Sequence, residues 1–329
     1  MNRKIFKWIV YLLPLPVIML SLFIGPSGNT GLSALVKHLL IGNESFNPEL
    51  AYNILVNVRM PRILLVFFTG GVLAISGAAL QAVFRNPLVD PYVLGLSSGA
   101  AFGAALGLWV AVIPVQLSAF TFGLAAVGLC YFMARKNKQV SIVSLILAGI
   151  ITNGIFTALL TIIQVLSDPF KLQSIVHWTM GNFHNADWVK IQTAALPMFA
   201  GFLILFILRW KLNVIALGDE EAASVGLNPR KLKIWILLGA TLAGSAAVAV
   251  AGIIGLYGLI IPHMVRMIFG VDNQKTLLIN FLMGGTFLTL IDNISRTMAG
   301  FEIPIGVFTM LIGAPFFIWL LKKSNAGWE

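Results

Sequence analysis

Apolar runs of about 20 residues, parted by short charged turns, recur along almost the whole of this chain. A helix of that length crosses the hydrocarbon of a bilayer. Inside hydrocarbon the backbone polar groups must be satisfied by the structure itself, which leaves helices or closed barrels. The stretch from Arg59 to Gly107 shows the pattern in detail. It opens with Arg59-Met60-Pro61-Arg62 and runs from Ile63 to Val83, broken only by small residues and Gln81. It then breaks at Arg85-Asn86-Pro87-Leu88-Val89-Asp90-Pro91, with Asn86 and Asp90 as uncapped polar corners. A second apolar run follows, with Gly95, Gly99, Gly103 and Gly107 four residues apart. Of the chain, 58% is hydrophobic and 10% charged, whereas a soluble domain carries roughly 25% charged residues. Too few charges remain to cover a globular surface, so the chain reads as an all-α, polytopic membrane protein.

The runs mark about ten spans, at approximately 8–25, 62–84, 93–112, 115–133, 142–166, 190–209, 233–252, 256–269, 276–297 and 304–321. The first follows Arg3, Lys4 and Lys7, like the basic start of a signal peptide. Its apolar stretch is long and no small-residue cleavage pattern follows cleanly, so it reads as a retained helix. With the N-terminus inside, most Lys and Arg fall on one side, and the other receives Lys37, Arg59, Arg62, Lys171, Lys190 and Arg296. Cations concentrate on the cytoplasmic side, so both termini are expected in the cytoplasm, with the chain in the cytoplasmic (inner) membrane. The same rule accounts for the net charge of +10 without nucleic acid. The single cysteine, Cys130, excludes an internal disulfide and reads as a packing residue. The whole of 1–329 reads as one transmembrane unit.

Small residues also recur at Gly70, Ala74 and Ala78, and at Gly239, Ala243, Ala247 and Ala251. Such stripes let helix backbones approach closely in lipid. Two hydrophilic segments stand out. The outer one, 26–58, carries Leu32, Leu35, Val36, Leu39 and Leu40 at helical spacing, which suits a short interfacial helix. The inner one, 211–233, is strongly punctuated. Asp219, Glu220 and Glu221 suit a helix start, Gly226 a stop, and Asn228-Pro229 a new start. Two short helices hinged at a glycine suit a grip by another protein, or an ordinary surface loop.

The order of motifs resembles the FecCD family, the permease subunits of importers for iron–siderophores, haem and vitamin B12. The resemblance rests on Arg59-Met60-Pro61-Arg62, Gly77-Ala78-Ala79-Leu80-Gln81 with Asn86-Pro87-Leu88, Asp90-Pro91 with Leu94-Gly95, and Ser98-Gly99-Ala100. It continues through Leu147-Ala148-Gly149, Trp178 with Gly181, Leu217-Gly218 to Gly226, and Gly258-Leu259-Ile260-Ile261-Pro262-His263 with Arg266. It closes with Asp292 and Arg296, Glu302-Ile303-Pro304-Ile305-Gly306 and Gly313-Ala314-Pro315-Phe316-Phe317. Only the first 50 or so residues add little.

The resemblance implies a vitamin B12-importer-permease-like fold of ten spans. It also implies a second permease copy, two ATP-binding cassette subunits beneath and a substrate-binding protein above. Arg59, Arg62 and Arg296, at the outer ends of spans on a partly exposed rim, match docking arginines that meet carboxylates of the binding protein. Snorkelling at a span end is the alternative for any one of them. Asp292, one turn before Arg296, can hold it in place. Asn86, Leu88 and Ile142 fall where the family places its cytoplasmic gate. The proline after Asn86 is expected to break the helix and aim Leu88 at the path, though Asn-Pro is also a plain turn. Asp219, Glu220, Glu221, Ala222, Gly226 and Leu227 are the expected ATPase-coupling residues. His263 fits either a partner contact or a satisfied buried histidine. Met180, Phe183 and Trp188 fit either contact with an apolar cargo or an interfacial belt.

The chain has no Gly-x-x-x-x-Gly-Lys phosphate loop, so ATP and Mg are expected on the partner subunit. His38, His177, His184 and His263 lack metal-ligand spacing, and no nucleophile–base set is readable. The function expected is import of a ferric chelate, siderophore or haem. A corrinoid or a molybdate-type oxyanion is the alternative cargo. An ion-coupled secondary transporter or a membrane enzyme needs ionisable groups at midplane, which the span centres hardly offer.

Overall fold

The computed structural model describes residues 3–25, 47–136 and 139–323. The expected interfacial helix at 32–40 lies outside them. The first expected span is two helices, α1 (Arg3–Leu12) and α2 (Pro14–Phe23). Pro14 and Pro16 lack an N–H, which interrupts the hydrogen-bond ladder there. The chain still turns on helically, and Val17 N reaches Leu13 O at 3.3 Å. Asn47 caps α3 (Pro48–Asn53), its side chain accepting from Leu50 N at 3.1 Å. A π-helical turn, Ile54–Arg59, joins α3 to α4 (Met60–Phe84), and the three make one helical run of 37 residues.

After a 3-10 turn at Pro91–Leu94 come α5 (Leu96–Val110) and α6 (Val115–Ala134). Two-residue strands, β1 (Arg135–Lys136) and β2 (Gln139–Val140), pair antiparallel before α7 (Ile142–Leu166). A helix outside the expected spans follows, α8 (Pro169–Thr179), capped by Asp168. It is too short and too polar to announce itself as a span. The remainder is α9 (Trp188–Ile207), α10 (Arg209–Leu217), α11 (Asp219–Ser224), α12 (Pro229–Ala251), α13 (Tyr257–Phe269), α14 (Asn273–Ser295) and α15 (Ile305–Lys323). Among the described residues, six helical runs are long and apolar enough to cross a membrane, and four shorter apolar helices accompany them.

Two helices form the centre. The most apolar window of the α4 run is 89% buried and that of α12 78% buried, against 28% for α7 and 22% for α9. Small residues make this packing possible. Gly70 of α4 lies on Gly284 of α14, and Gly77 lies on the Gly258 carbonyl of α13. Gly99 and Gly103 of α5 face Phe122 and Ser118 of α6, and Gly201 of α9 lies against Gly239 of α12. A methyl group at any of these would run into a neighbouring backbone or side chain, so the glycine stripe is a helix-packing face, as its spacing indicates.

The bundle gathers its polar groups at two ends. One end collects the close of α2, the starts of α4 and α9 and the close of α14. Trp188 Nε1 donates to Val56 O at 2.9 Å there, and Lys171 Nζ to Trp109 O at 3.0 Å. This is the end that the charge pattern assigns to the outside. The other end holds the break after α4, the strand pair, and helices α10 to α12. It is pinned by Asn213, which donates to Asp272 Oδ1 at 2.7 Å and accepts from Asn273 N at 2.7 Å.

Candidate functional sites at the two ends of the bundle

At the outer end, Arg62 stands in the first turn of α4 and reaches two carboxylates at once. Its Nη2 lies 2.8 Å from Asp292 Oδ1, and its Nε is 3.2 Å from both Asp292 oxygens. Nη1 and Nη2 each donate to an oxygen of Glu302 at 2.9 Å. The planar five-donor fork of arginine is what allows one cation to serve both. Arg59 and Arg296 turn instead to the close of α2. Arg59 Nη1 donates to Leu22 O at 2.6 Å, and Arg296 Nη2 to Ser21 O at 3.3 Å and to the side-chain oxygen of Asn293. Asn293 Nδ2 donates to Ser21 Oγ at 2.7 Å. The last carbonyls of a helix have no partners within it and carry its negative dipole end, so two guanidiniums suit them.

The structure brings the three arginines together but corrects their surroundings. Arg59, Arg62 and Arg296 are only 4%, 7% and 4% exposed, buried rather than on a partly exposed rim. Asp292 belongs chiefly to Arg62, while Arg296 Nε is 3.5 Å from its Oδ2. Helical spacing does place Asp292 beside Arg296, but the fork of Arg62 already engages both oxygens. Sequence reasoning missed Glu302 and His184 as members of this cluster; the place of Glu302 in the 302–306 motif was the only signal. His184 Nδ1 lies 3.2 Å from Glu302 Oε2, and its ring is 5.3 Å from that of His177. Burial pushes the Glu302 carboxyl up, but the hydrogen bonds and charge of Arg62 outweigh this and hold it below the usual range. Burial lowers the His184 imidazole. Glu302 pulls it back only in part, because Arg62 and His177 disfavour another positive charge. Of the other residues noted near this mouth, Met180 is exposed and Phe183 is fully buried as core.

At the inner end, α4 stops earlier and by another device than the proline. Arg85 takes a left-handed conformation (φ 51°), Arg85 N donates to Ala82 O, and Asn86 N donates to Gln81 O. This pair of bonds is a Schellman closure. The corners of the break are capped, contrary to expectation. Asn86 Oδ1 accepts from Leu88 N and Asp90 Oδ1 from Tyr92 N, each at 2.9 Å. Leu88 is 39% exposed, while Val89 and Ile142 pack on the inner apolar cluster. Gln81, the polar interruption of the run, donates to Val89 O at 3.1 Å and accepts from Arg266 Nη1 at 2.5 Å. It thereby fixes the break to α13. His263 Nδ1 is buried without a hydrogen-bond partner among the described residues.

The 211–233 segment keeps its expected punctuation, but of the two short helices expected only the first is short: the one after Gly226 is the start of the 23-residue span α12, because its apolar run continues unbroken. Asp219, Glu220 and Glu221 fill the first turn of α11. Gly226 (φ 80°) closes it, with Gly226 N on Ala223 O and Leu227 N on Ala222 O, both at 3.0 Å. Asn228 Oδ1 then caps α12 through Lys231 N at 3.0 Å, with Pro229 in first position. Ala222 is fully buried, and Lys233 Nζ ties back to Asp219 Oδ2 at 2.6 Å. Between this helix pair and the ends of α6 and α7 lies a cleft of about 1090 Å³, lined in part by Tyr131, Ser144, Glu220, Leu227 and Arg230.

The model of the FecCD transport family matches residues 12–323. The chain is 38% identical over 290 residues to a probable iron chelatin transport system permease protein of Helicobacter pylori, covering 88% of each chain. It is 39% identical over 280 residues to the molybdate import system permease protein MolB of Haemophilus influenzae, covering 83% of this chain and 82% of that one. A solved structure described as an inward-facing conformation of a putative metal-chelate type ABC transporter superposes with a TM-score of 0.84 at 36% identity. It covers 95% of this chain and 97% of its own.

Proposed function

This chain belongs to the FecCD transport family, and we infer that it forms, with a second copy, the membrane path of an ATP-driven importer of a ferric chelate. That it is an integral membrane permease of the ABC importer type follows from the family. The finer reading is that two ATP-binding cassette subunits sit beneath the pair, bind ATP and Mg, and drive it. A substrate-binding protein delivers cargo from outside, across the cytoplasmic membrane. The observation that carries this reading is the α11–Gly226–α12 unit. It is a short acidic helix, closed by a glycine and tied to a central span through Asp219 and Lys233. Motion imposed on α11 reaches the bundle core through that tie and through buried Ala222. Ferric chelate is supported by the name of the Helicobacter relative; molybdate is the second reading, supported by the Haemophilus one. A corrinoid remains the other alternative. The deciding measurement is ATPase stimulation of the assembled transporter by its loaded binding protein across ferric siderophores, haem, cobalamin and molybdate. Stimulation by none of them overturns the cargo assignment.

For docking, the partners of the three buried arginines select among them. Arg59 is held by a neutral carbonyl, Arg296 by neutral oxygens with only a long 3.5 Å approach to Asp292, and Arg62 by two carboxylates. A carboxylate of the binding protein displaces carbonyls far more readily than it displaces carboxylates. Arg59→Glu and Arg296→Glu should weaken docking, and a matching Glu→Arg on the binding protein should restore part of it. Unchanged binding in low and moderate salt would leave these residues as structural anchors. Asn86, Leu88 and Ile142 form the gate in this reading, and Leu88→Gly should raise cargo leak without ATP.

A further inference from the structure

Helix α9 lies against the small residues of α12, Gly201 meeting Gly239 and Ala243. Pro197 sits at the middle of the same helix and marks off its outer half, which begins at Trp188. Beside that half, α6 and α9 flank α12 without filling the space between them. What remains is a groove of about 910 Å³, floored by Leu242 and Ala246 of α12 and walled by Leu117 and Phe120 of α6 and Leu196 of α9. Three apolar helices line it, so in a bilayer hydrocarbon chains must be its solvent. Its mouth is polar and lies at headgroup level, beside Trp188, Gln116 and the start of α6.

We propose that this groove is a binding site for one phospholipid whose headgroup carries both a phosphate and an ammonium, of the phosphatidylethanolamine type. Lys190 and Asp187 stand together at the mouth. Lys190 makes no ion pair within 4 Å with any described carboxylate. Asp187 is exposed, and the bond it accepts from Lys190 N, at 2.7 Å, leaves its charge in place. A cation and an anion side by side match a phosphate and an ammonium joined by a short linker; an anionic lipid would meet the carboxylate uncompensated. The start of α6 has no side-chain cap, and its free first-turn amides add donors for the phosphate. One acyl chain then runs down the groove.

The test is native mass spectrometry of the purified permease taken from vesicles of equal phosphatidylethanolamine and phosphatidylglycerol. It depends only on membrane embedding, so it stands whatever the transporter carries. The expected result is one retained phosphatidylethanolamine per chain. Asp187→Asn keeps the helix cap but removes the anion, and should turn the preference to phosphatidylglycerol. Lys190→Gln should lower occupancy about tenfold, as loss of a charge-assisted hydrogen bond does. Thr193→Phe, on the exposed wall of the groove, should lower retention of both lipids. Lys171→Gln, a cation elsewhere at the same end, should change nothing. Equal retention of both lipids by the parent chain, or a pattern unmoved by Asp187→Asn and Thr193→Phe, overturns the proposal.

Discussion

At the scale of single residues, the outer cluster is decided by Arg62. Asp292 is fully buried, and Arg62 is its nearest cation. Removing one partner of a buried pair costs about 3–5 kcal/mol, because the other charge is left without compensation. Arg62→Gln should therefore lower the melting temperature of the purified protein sharply. Arg62→Lys should recover little, since an ammonium cannot span two carboxylates as the fork does. A mild effect of Arg62→Gln in a thermal-shift assay would show that the network contributes little. The same cluster sets a pH dependence. The folded value of Glu302 is depressed, so its stabilisation is present above the ordinary carboxylate range and is lost as pH falls through the folded value. The folded value of His184 is also depressed. Below a pH of about 6.5 the unfolded chain takes up that proton first, which again favours unfolding. Both slopes have one sign, so melting temperature should fall steadily on acidification. His184→Gln should remove the part of the fall that begins near neutrality, and a parent melting curve flat from pH 7.5 to 5 would refute the assignment.

At the scale of elements, α11, for which we propose the coupling role, tests the link between local conformation and function. Gly226 has φ 80°, and a Cβ added there would meet nothing within 4 Å. Space is therefore no obstacle; only the left-handed backbone is, at about 1–2 kcal/mol for a side chain with no local hydrogen bond to offer. Gly226→Val should leave the permease folded but uncouple ATP hydrolysis from uptake, by mis-setting α11 against α12. Gly226→Asn should keep coupling, since asparagine tolerates that conformation. Equal uptake per ATP in both variants would argue against the hinge. This element was legible in the sequence because its signals are local: three acids, a glycine, then Asn-Pro. Most span positions were legible for the same reason, their apolar runs being continuous. The stop of α4 at Phe84 was legible in position, but its device was misread, because a left-handed Arg85 has no sequence signature whereas Asn86-Pro87 has a loud one. The joining of Arg62 to Glu302, 240 residues away, was beyond reach, since packing alone brings α4 beside the loop after α14.

At the scale of the whole molecule, charge is confined to the two ends and the middle is held by small residues. Among the described residues, Asp292 is the carboxylate deepest in an apolar span, and it lies within a turn of the end of α14, already engaged by Arg62. Glu302 and Asp90 fall between helices. A transporter that runs on an ion gradient needs ionisable groups near the midplane that change partners as the ion moves. Asp292 is too near an end and too firmly held to serve. In the function proposed here energy enters mechanically instead, at the inner end, where α11 and the cleft beside it lead through Lys233 into the most central pair of helices. The consequence is measurable in proteoliposomes containing the permease, its ATPase and its loaded binding protein. Uptake should continue at the same rate when proton and sodium gradients are collapsed with ionophores, and should stop when ATP is withheld from the ATPase side. Gly226→Val should abolish uptake in the same vesicles while ATP is still hydrolysed. Uptake that follows the ion gradient and ignores ATP would mean that energy enters through a site other than α11.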